Sequence, residues 1–141
     1  MWWIIAVFMM IFMADVSVMQ THDLSDRNLV QVSAQQQAVQ TVAYINSIND
    51  YLYSHPMTDG VVSDDNLPVK APPGAKNLIQ TSRVYVYQPD QKGLLWQLES
   101  ASDTSALVGR VSAGRLQDAT GTDMGVPVPA SVPDGDVTYL N

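Results

Sequence analysis

The 141-residue chain carries seven Lys and Arg against fourteen Asp and Glu, a formal net charge of -7, and no cysteine. That balance opposes nucleic-acid binding, which needs basic side chains to displace condensed counterions, and it supplies no polybasic patch for anionic lipid. Without Cys there is no disulfide framework, no thiol catalysis and no Cys-ligated zinc.

The chain opens on MWWIIAVFMMIFMA, Met1 to Ala14, with no charged side chain. Fourteen helical residues rise about 21 Å, less than a hydrocarbon core of about 30 Å, and extension through Val16, Val18 and Met19 brings the helix to about 28 Å. The expectation is a membrane anchor over 1–19. Trp2 and Trp3 sit at the near interface, Ile4, Ile5, Val7, Phe8, Ile11 and Phe12 lie in the hydrocarbon, and Asp15 reaches the far interface. A cleaved signal peptide would need a basic leader and a small-x-small site. No Lys or Arg precedes Arg27, and a cut after Ala14 places Phe12 where a small residue belongs. A buried globular helix is the third reading, and it would have to bury two adjacent Trp and a run of Met at a terminus. The flank that follows carries Asp15, Asp23 and Asp26 and nothing basic. Nothing there holds it in the cytoplasm, so the body is expected outside, in the periplasm of a bacterium.

Residues 20–56 read as a stem and an amphipathic helix. Ser25 or Asp26 can cap a helix start. From Asn28 to Tyr53 there is neither Gly nor Pro, and Ala34, Ala38, Val42, Ile45, Ile48 and Leu52 recur at helical spacing. His55-Pro56 ends the helix, because the residue before proline is driven out of helical geometry.

Residues 57–141 read as a small antiparallel β-rich domain, so the fold class is α+β and 20–141 forms one periplasmic unit. Asp59-Gly60 turns the chain, Val61-Val62 is a short strand or a plug into the core, and Asp64-Asp65-Asn66 is a polar loop. Arg83 to Tyr87 alternates valine and tyrosine as a strand. With Pro89 to Gly93 as the turn, Leu94, Trp96 and Leu98 then form one face of a second strand, with Trp96 as its buried anchor. Ser102 or Asp103 caps a short helical turn through Leu107 that Gly109 stops. Val108 to Gln117 forms a strand or hairpin bending at Ala113-Gly114. Thr120 to Asp123 turns, Val126 to Pro129 is extended, and Val137 to Leu140 is a last strand.

Candidate chemistry is sparse. His22 and His55 are the two histidines, and no G-x-S-x-G elbow exists. Asp64-Asp65 and Asp134-Gly135-Asp136 pair carboxylates in what reads as shared solvent, which does not separate an acid from a base. Asp118 to Asp123 lacks the oxygen-ligand spacing and closing Glu of a calcium loop. Arg110 and Arg115 could together grip a carboxylate or phosphate, but five apart on one strand they would lie on opposite faces. Tyr85, Tyr87 and Trp96 could form an exposed aromatic patch. No P-loop is present. No catalytic residue, cofactor, metal, nucleic acid or small-molecule substrate is assigned.

Four stretches carry a resemblance. They are Tyr44-Ile45-Asn46-Ser47-Ile48-Asn49-Asp50-Tyr51, Arg83-Val84-Tyr85-Val86-Tyr87, Ser105-Ala106-Leu107-Val108-Gly109-Arg110, and the ending from Val128 to Asn141. With the apolar start, they resemble the small PilM family of type IVB thin pili, encoded with plasmid conjugation systems, and not the actin-like ATPase of the same name. The resemblance implies a bitopic inner-membrane protein with a scaffolding role in the pilus assembly apparatus or basal body. Its partners would be the lipid bilayer and other assembly proteins of the inner membrane and periplasm. Two alternatives remain. A minor pilin-like subunit would show a basic leader, a Gly before the apolar helix and a Glu at its fifth position, none of which is seen here. A small periplasmic hydrolase would have His55 and Asp64 as leading residues.

Overall fold

The computed structural model describes residues 2–103 and 107–141, and among their side chains Arg27 and those from 29 onward. Helix α1 runs Trp2–Ser54, 53 residues without a break. The expected cap at Ser25 or Asp26 is therefore absent, because the backbone is already helical there. The cause lies in what the sequence lacks: the first proline is Pro56 and the first glycine Gly60, so nothing before them withholds an amide or favours a non-helical φ. The helix stops at Ser54, one residue short of His55-Pro56, as the pre-proline restriction requires.

Among the described residues no helix is long and apolar enough to cross a membrane. The expected anchor, with Trp2, Trp3, Ile4, Ile5, Val7, Phe8, Ile11 and Phe12, lies outside the described side chains. The chain divides into two compact units, Met1–Ser33 and Ala34–Asn141. Within the second, the stretch of α1 from Ala34 belongs with the β-rich part.

Six strands form one antiparallel sheet: β1 Lys76–Gln80, β2 Arg83–Gln88, β3 Leu107–Ser112, β4 Arg115–Gln117, β5 Asp123–Pro127 and β6 Val137–Leu140. Their spatial order is β1-β2-β6-β3-β4-β5. The last strand is thus central, and all four of its residues are buried, as a strand covered on both faces requires. The hairpin partner of β2 is β1, joined to it by the two-residue turn Thr81-Ser82 with φ of 53° and 62°. Both positive angles suit the turn whose twist matches a hairpin, although neither residue is glycine.

The second half of the expected hairpin is a helix, α2, Leu94–Ala101. Leu94, Leu95 and Leu98 are buried, a helical i, i+1, i+4 face. The segment has no β-branched residue, and Leu, Gln, Glu and Ala favour helix. Trp96 lies two residues from both Leu94 and Leu98, about 200° around a helix, and is 60% exposed. The reading of Trp96 as a core anchor is overturned, because it rested on a period of two. Ser102 closes α2 instead of opening a helix, Gly109 lies inside β3, and 104–106 fall outside the described residues.

Register assigns the faces, since directly opposed residues share a side. Ile79, Val84, Val86, Val108, Val137 and Tyr139 lie on one side. They share a core with Ala38, Ile45 and Ile48 of α1 and with the three leucines of α2. On the other side Val111 and Leu116 meet Val128 and Val132, with Leu78 and Tyr87 against them. Gly109 lies on this second side, opposite Thr138. A Cβ there would stand 2.5 Å from the Gln117 carbonyl oxygen and 2.7 Å from Leu116 Cγ, so only glycine lets β4 close on β3.

The sheet edges are managed. Outside β1, Gly60 exchanges both backbone bonds with Ile79, and Asp59 accepts from the Thr81 amide. At β5 a register irregularity, Gly125 at φ 73° and Pro127 interrupt the edge, which discourages further strand addition. Asp64–Asn66, expected as loop, forms a single 3-10 turn capped by Ser63, and Val62 is the plug while Val61 is exposed.

Candidate functional site

Two polar clusters join α1 to the sheet. In the first, Tyr44 donates to Asp64 Oδ1 at 2.7 Å and accepts from Asn77 Nδ2 at 2.7 Å. Asn77 also accepts from the Val62 amide and donates to the Val62 carbonyl, both at 2.8 Å. Burial, reinforced by the bond to Asp64, pushes the Tyr44 hydroxyl up to about 12. In the second cluster Thr41 donates to the Gln37 carbonyl, Gln88 Nε2 donates to Thr41 Oγ1 at 2.9 Å, and Gln37 Nε2 donates to Gln88 Oε1 at 2.7 Å. These groups satisfy one another, and their work is to fix the height and rotation of the helix on the sheet. Sequence inspection passed over both clusters, although one signal was there. Strand parity puts Gln88 on the face of Val84 and Val86, and Gln37 and Thr41 lie one helical turn apart.

The two leading hydrolase residues are placed apart in role. His55 is exposed and its ring stacks on Tyr51, centroids 4.5 Å apart. Asp64 holds Tyr44. Asp118 Oδ1 accepts from the Thr120 hydroxyl and from the Thr120 and Thr122 amides, which holds its carboxyl below the usual range, the Thr120 hydroxyl first among the causes. That is turn chemistry. Among the described residues no three His, Asp or Glu stand together as metal ligands. His22 lies outside the described side chains.

The surface candidates rearrange. Tyr85 is buried, opposed by Leu78 and Leu140 across its neighbouring strands. Tyr87 is half-buried against the second cluster. Of the three aromatics, Trp96 is the one that faces solvent. Arg110 pairs with Gln117 across β3 and β4, and Ser112 with Arg115. Both arginines therefore occupy one side of the sheet, and the expectation of opposite faces fails because the hairpin bend lies between them. Each already holds a carboxylate: Arg110 reaches Asp90 Oδ2 through Nε at 2.9 Å and Nη2 at 2.6 Å, and Arg115 Nε reaches Asp123 at 2.6 Å. An anionic ligand would have to displace Asp90 or Asp123.

Comparison with known proteins agrees with this architecture. The family model PilM matches residues 7–140. A PilM protein of Escherichia coli B7A, known from its crystal structure, is 35% identical, with 78% of this chain and 92% of that chain covered at a TM-score of 0.64. A second crystal structure, of a PilM protein from Pseudomonas aeruginosa 2192, is 21% identical over 76% of this chain and 94% of that one, at a TM-score of 0.45. No curated protein matches the chain. A family match over nearly the whole length, together with a short α+β fold, shows that this chain belongs to the PilM family of thin-pilus biogenesis and not to the actin-like ATPases of the same name.

Proposed function

We propose that the chain serves thin type IV pilus biogenesis as an inner-membrane accessory protein, with a structural role in the assembly apparatus or its basal body. The observation that carries this reading is the family match over residues 7–140. The uncharged run Met1 to Ala14 supports attachment to the membrane, and the acidic flank Asp15 to Asp26 supports a periplasmic body. The interior supports a scaffold more than a catalyst. Tyr44 bonds to Asp64 and Asn77, Gln88 to Thr41 and Gln37, and at the surface Arg110 and Arg115 pair with the chain's own Asp90 and Asp123.

Reporter fusions at Asn141 test the placement. The expected result is periplasmic reporter activity that stays with the membrane after alkaline extraction. Activity of a cytoplasmic reporter at the same position overturns it. Deletion is expected to abolish pili without lowering pilin levels. Recovery of the chain in sheared pili would make it a subunit of the fibre instead. Retained pilus function in His55→Ala and Asp64→Ala separates the scaffold from a hydrolase that uses these residues.

A further inference from the structure

The sheet consists of two groups of strands, each made of chain neighbours. β1 pairs with β2 through the turn Thr81-Ser82, and β3 pairs with β4, and β4 with β5, through Ala113-Gly114 and the turn at Thr120 to Asp123. Among the described residues no ladder joins one group to the other except through β6. Leu140 is opposed by Tyr85 on one side and Leu107 on the other, and Thr138 by Tyr87 and Gly109. Past the strand's ends, Val84 and Asn141 exchange both backbone hydrogen bonds, and the Val111 amide donates to the Asp136 carbonyl.

The same four residues complete the packing. Val137 and Tyr139 enter the core shared with α1 and α2, to which β3 adds Val108 and β4 and β5 add nothing. Helix α2 itself packs on β3 and β6. Without β6, the inner edges of β2 and β3 would carry buried amides and carbonyls with no partner. The β1-β2 hairpin would then stand as a two-stranded structure, which is marginal in water. The other group would rest on β4, a strand of three residues.

We propose that insertion of Val137–Leu140 between β2 and β3 is the closing step of folding for the body from Ala34 onward. Until these residues are available neither group of strands is stable, and the sheet then forms in one event. Both pairings join segments far apart in the chain, so their loop-closure cost is met before any contact offsets it. That places β6 in the rate-limiting step. The device keeps the preceding strands from settling into a half-formed sheet while the chain is being made. It does not depend on where the protein resides.

Refolding of the full chain in detergent micelles, followed by far-ultraviolet circular dichroism after dilution from denaturant, reads the step. Val137→Ala is expected to lower the folding rate by nearly the whole factor by which it lowers the folding equilibrium constant. Val126→Ala, on the edge strand β5, is expected to act mainly by raising the unfolding rate. Equal slowing of folding by both variants overturns the proposal, as does a Val137→Ala variant that only unfolds faster. A second measurement uses the unsubstituted sequence. The full chain, followed by a flexible linker of varied length, is stalled on ribosomes with lipid nanodiscs present. Protease resistance of the body is expected only with linkers that carry Leu140 clear of the exit tunnel. Resistance while residues 137–140 are still inside overturns the proposal.

Discussion

The Asn77 side chain grips the Val62 backbone at both polar groups: Oδ1 accepts from the Val62 amide at 2.8 Å and Nδ2 donates to the Val62 carbonyl at 2.8 Å. A side-chain amide here replaces a ladder partner, and it seats the Val62 plug in the core while leaving one donor hydrogen for Tyr44. Asn77 is 4% exposed. Asn77→Ala removes three buried hydrogen bonds and orphans the Val62 amide and carbonyl, at roughly 1–3 kcal/mol for each group left unsatisfied. The chemical denaturation midpoint is expected to fall sharply with an unchanged slope. A variant within about 0.5 kcal/mol of wild type, the range of ordinary surface substitutions, would show that the amide does not hold this segment.

Tyr44 gives the fold an alkaline limit. Its hydroxyl is raised from an ordinary value of 10.0 to about 12, first by burial and then by the bond to Asp64. A group that binds its proton more tightly when folded contributes stability that is complete below the unfolded value and lost as pH rises through the folded one. Stability is therefore expected to decline between pH 10 and about 12, by on the order of 2 kcal/mol. Tyr44→Phe should be less stable at neutral pH, since Asp64 and Asn77 lose a partner, and should lack this part of the alkaline decline. Denaturation curves across that window measure both effects.

Gly109 is a packing requirement within β3. The methyl group of Gly109→Ala would meet the Gln117 carbonyl oxygen at 2.5 Å and Leu116 Cγ at 2.7 Å. The first obstacle is backbone, so β4 must shift away, and overpacking of this kind costs about 1–3 kcal/mol or more. A lowered melting temperature is expected. An unchanged one would mean that β3 and β4 are not held this close.

Trp96 and Leu98 separate helix from strand. On a strand both would share one face; on α2, Leu98 is buried and Trp96 is exposed. Leu98→Ala is expected to cost about 2–5 kcal/mol, as buried leucine truncations do. Trp96→Ala should stay within about 0.5 kcal/mol, as a surface change does. Comparable losses at both positions, read from urea midpoints, would restore the hairpin reading.

How far the sequence reaches differs from element to element. The α1 stripe from Ala34 to Ile48 was legible, because the 3.6-residue period over a long stretch without Gly or Pro has one reading. The hairpin around Ala113-Gly114, the turn at Thr120 to Asp123 and the last strand were legible for the same local reasons. Leu94 to Leu98 was not. Five residues in which apolar side chains dominate satisfy a period of two and a helical face alike, and the core beneath Leu94, Leu95 and Leu98 chose the helix. Strand β1 was illegible, since Lys76-Asn77-Leu78-Ile79-Gln80 has little period. It is a strand because β2 and Gly60 supply its hydrogen bonds.

By itself the sequence determined the α+β class, the long helix and its proline stop, the acidic cysteine-free character and the stretches that resemble PilM. Each rests on near neighbours or on composition. Only the tertiary structure decided that β6 lies at the centre, that Tyr85 is buried while Trp96 is exposed, that Arg110 and Arg115 share a face, and that Asn77 binds Val62 and Tyr44. Those outcomes depend on strand order and register, which are set by contacts between residues far apart in the chain and leave no local period to read.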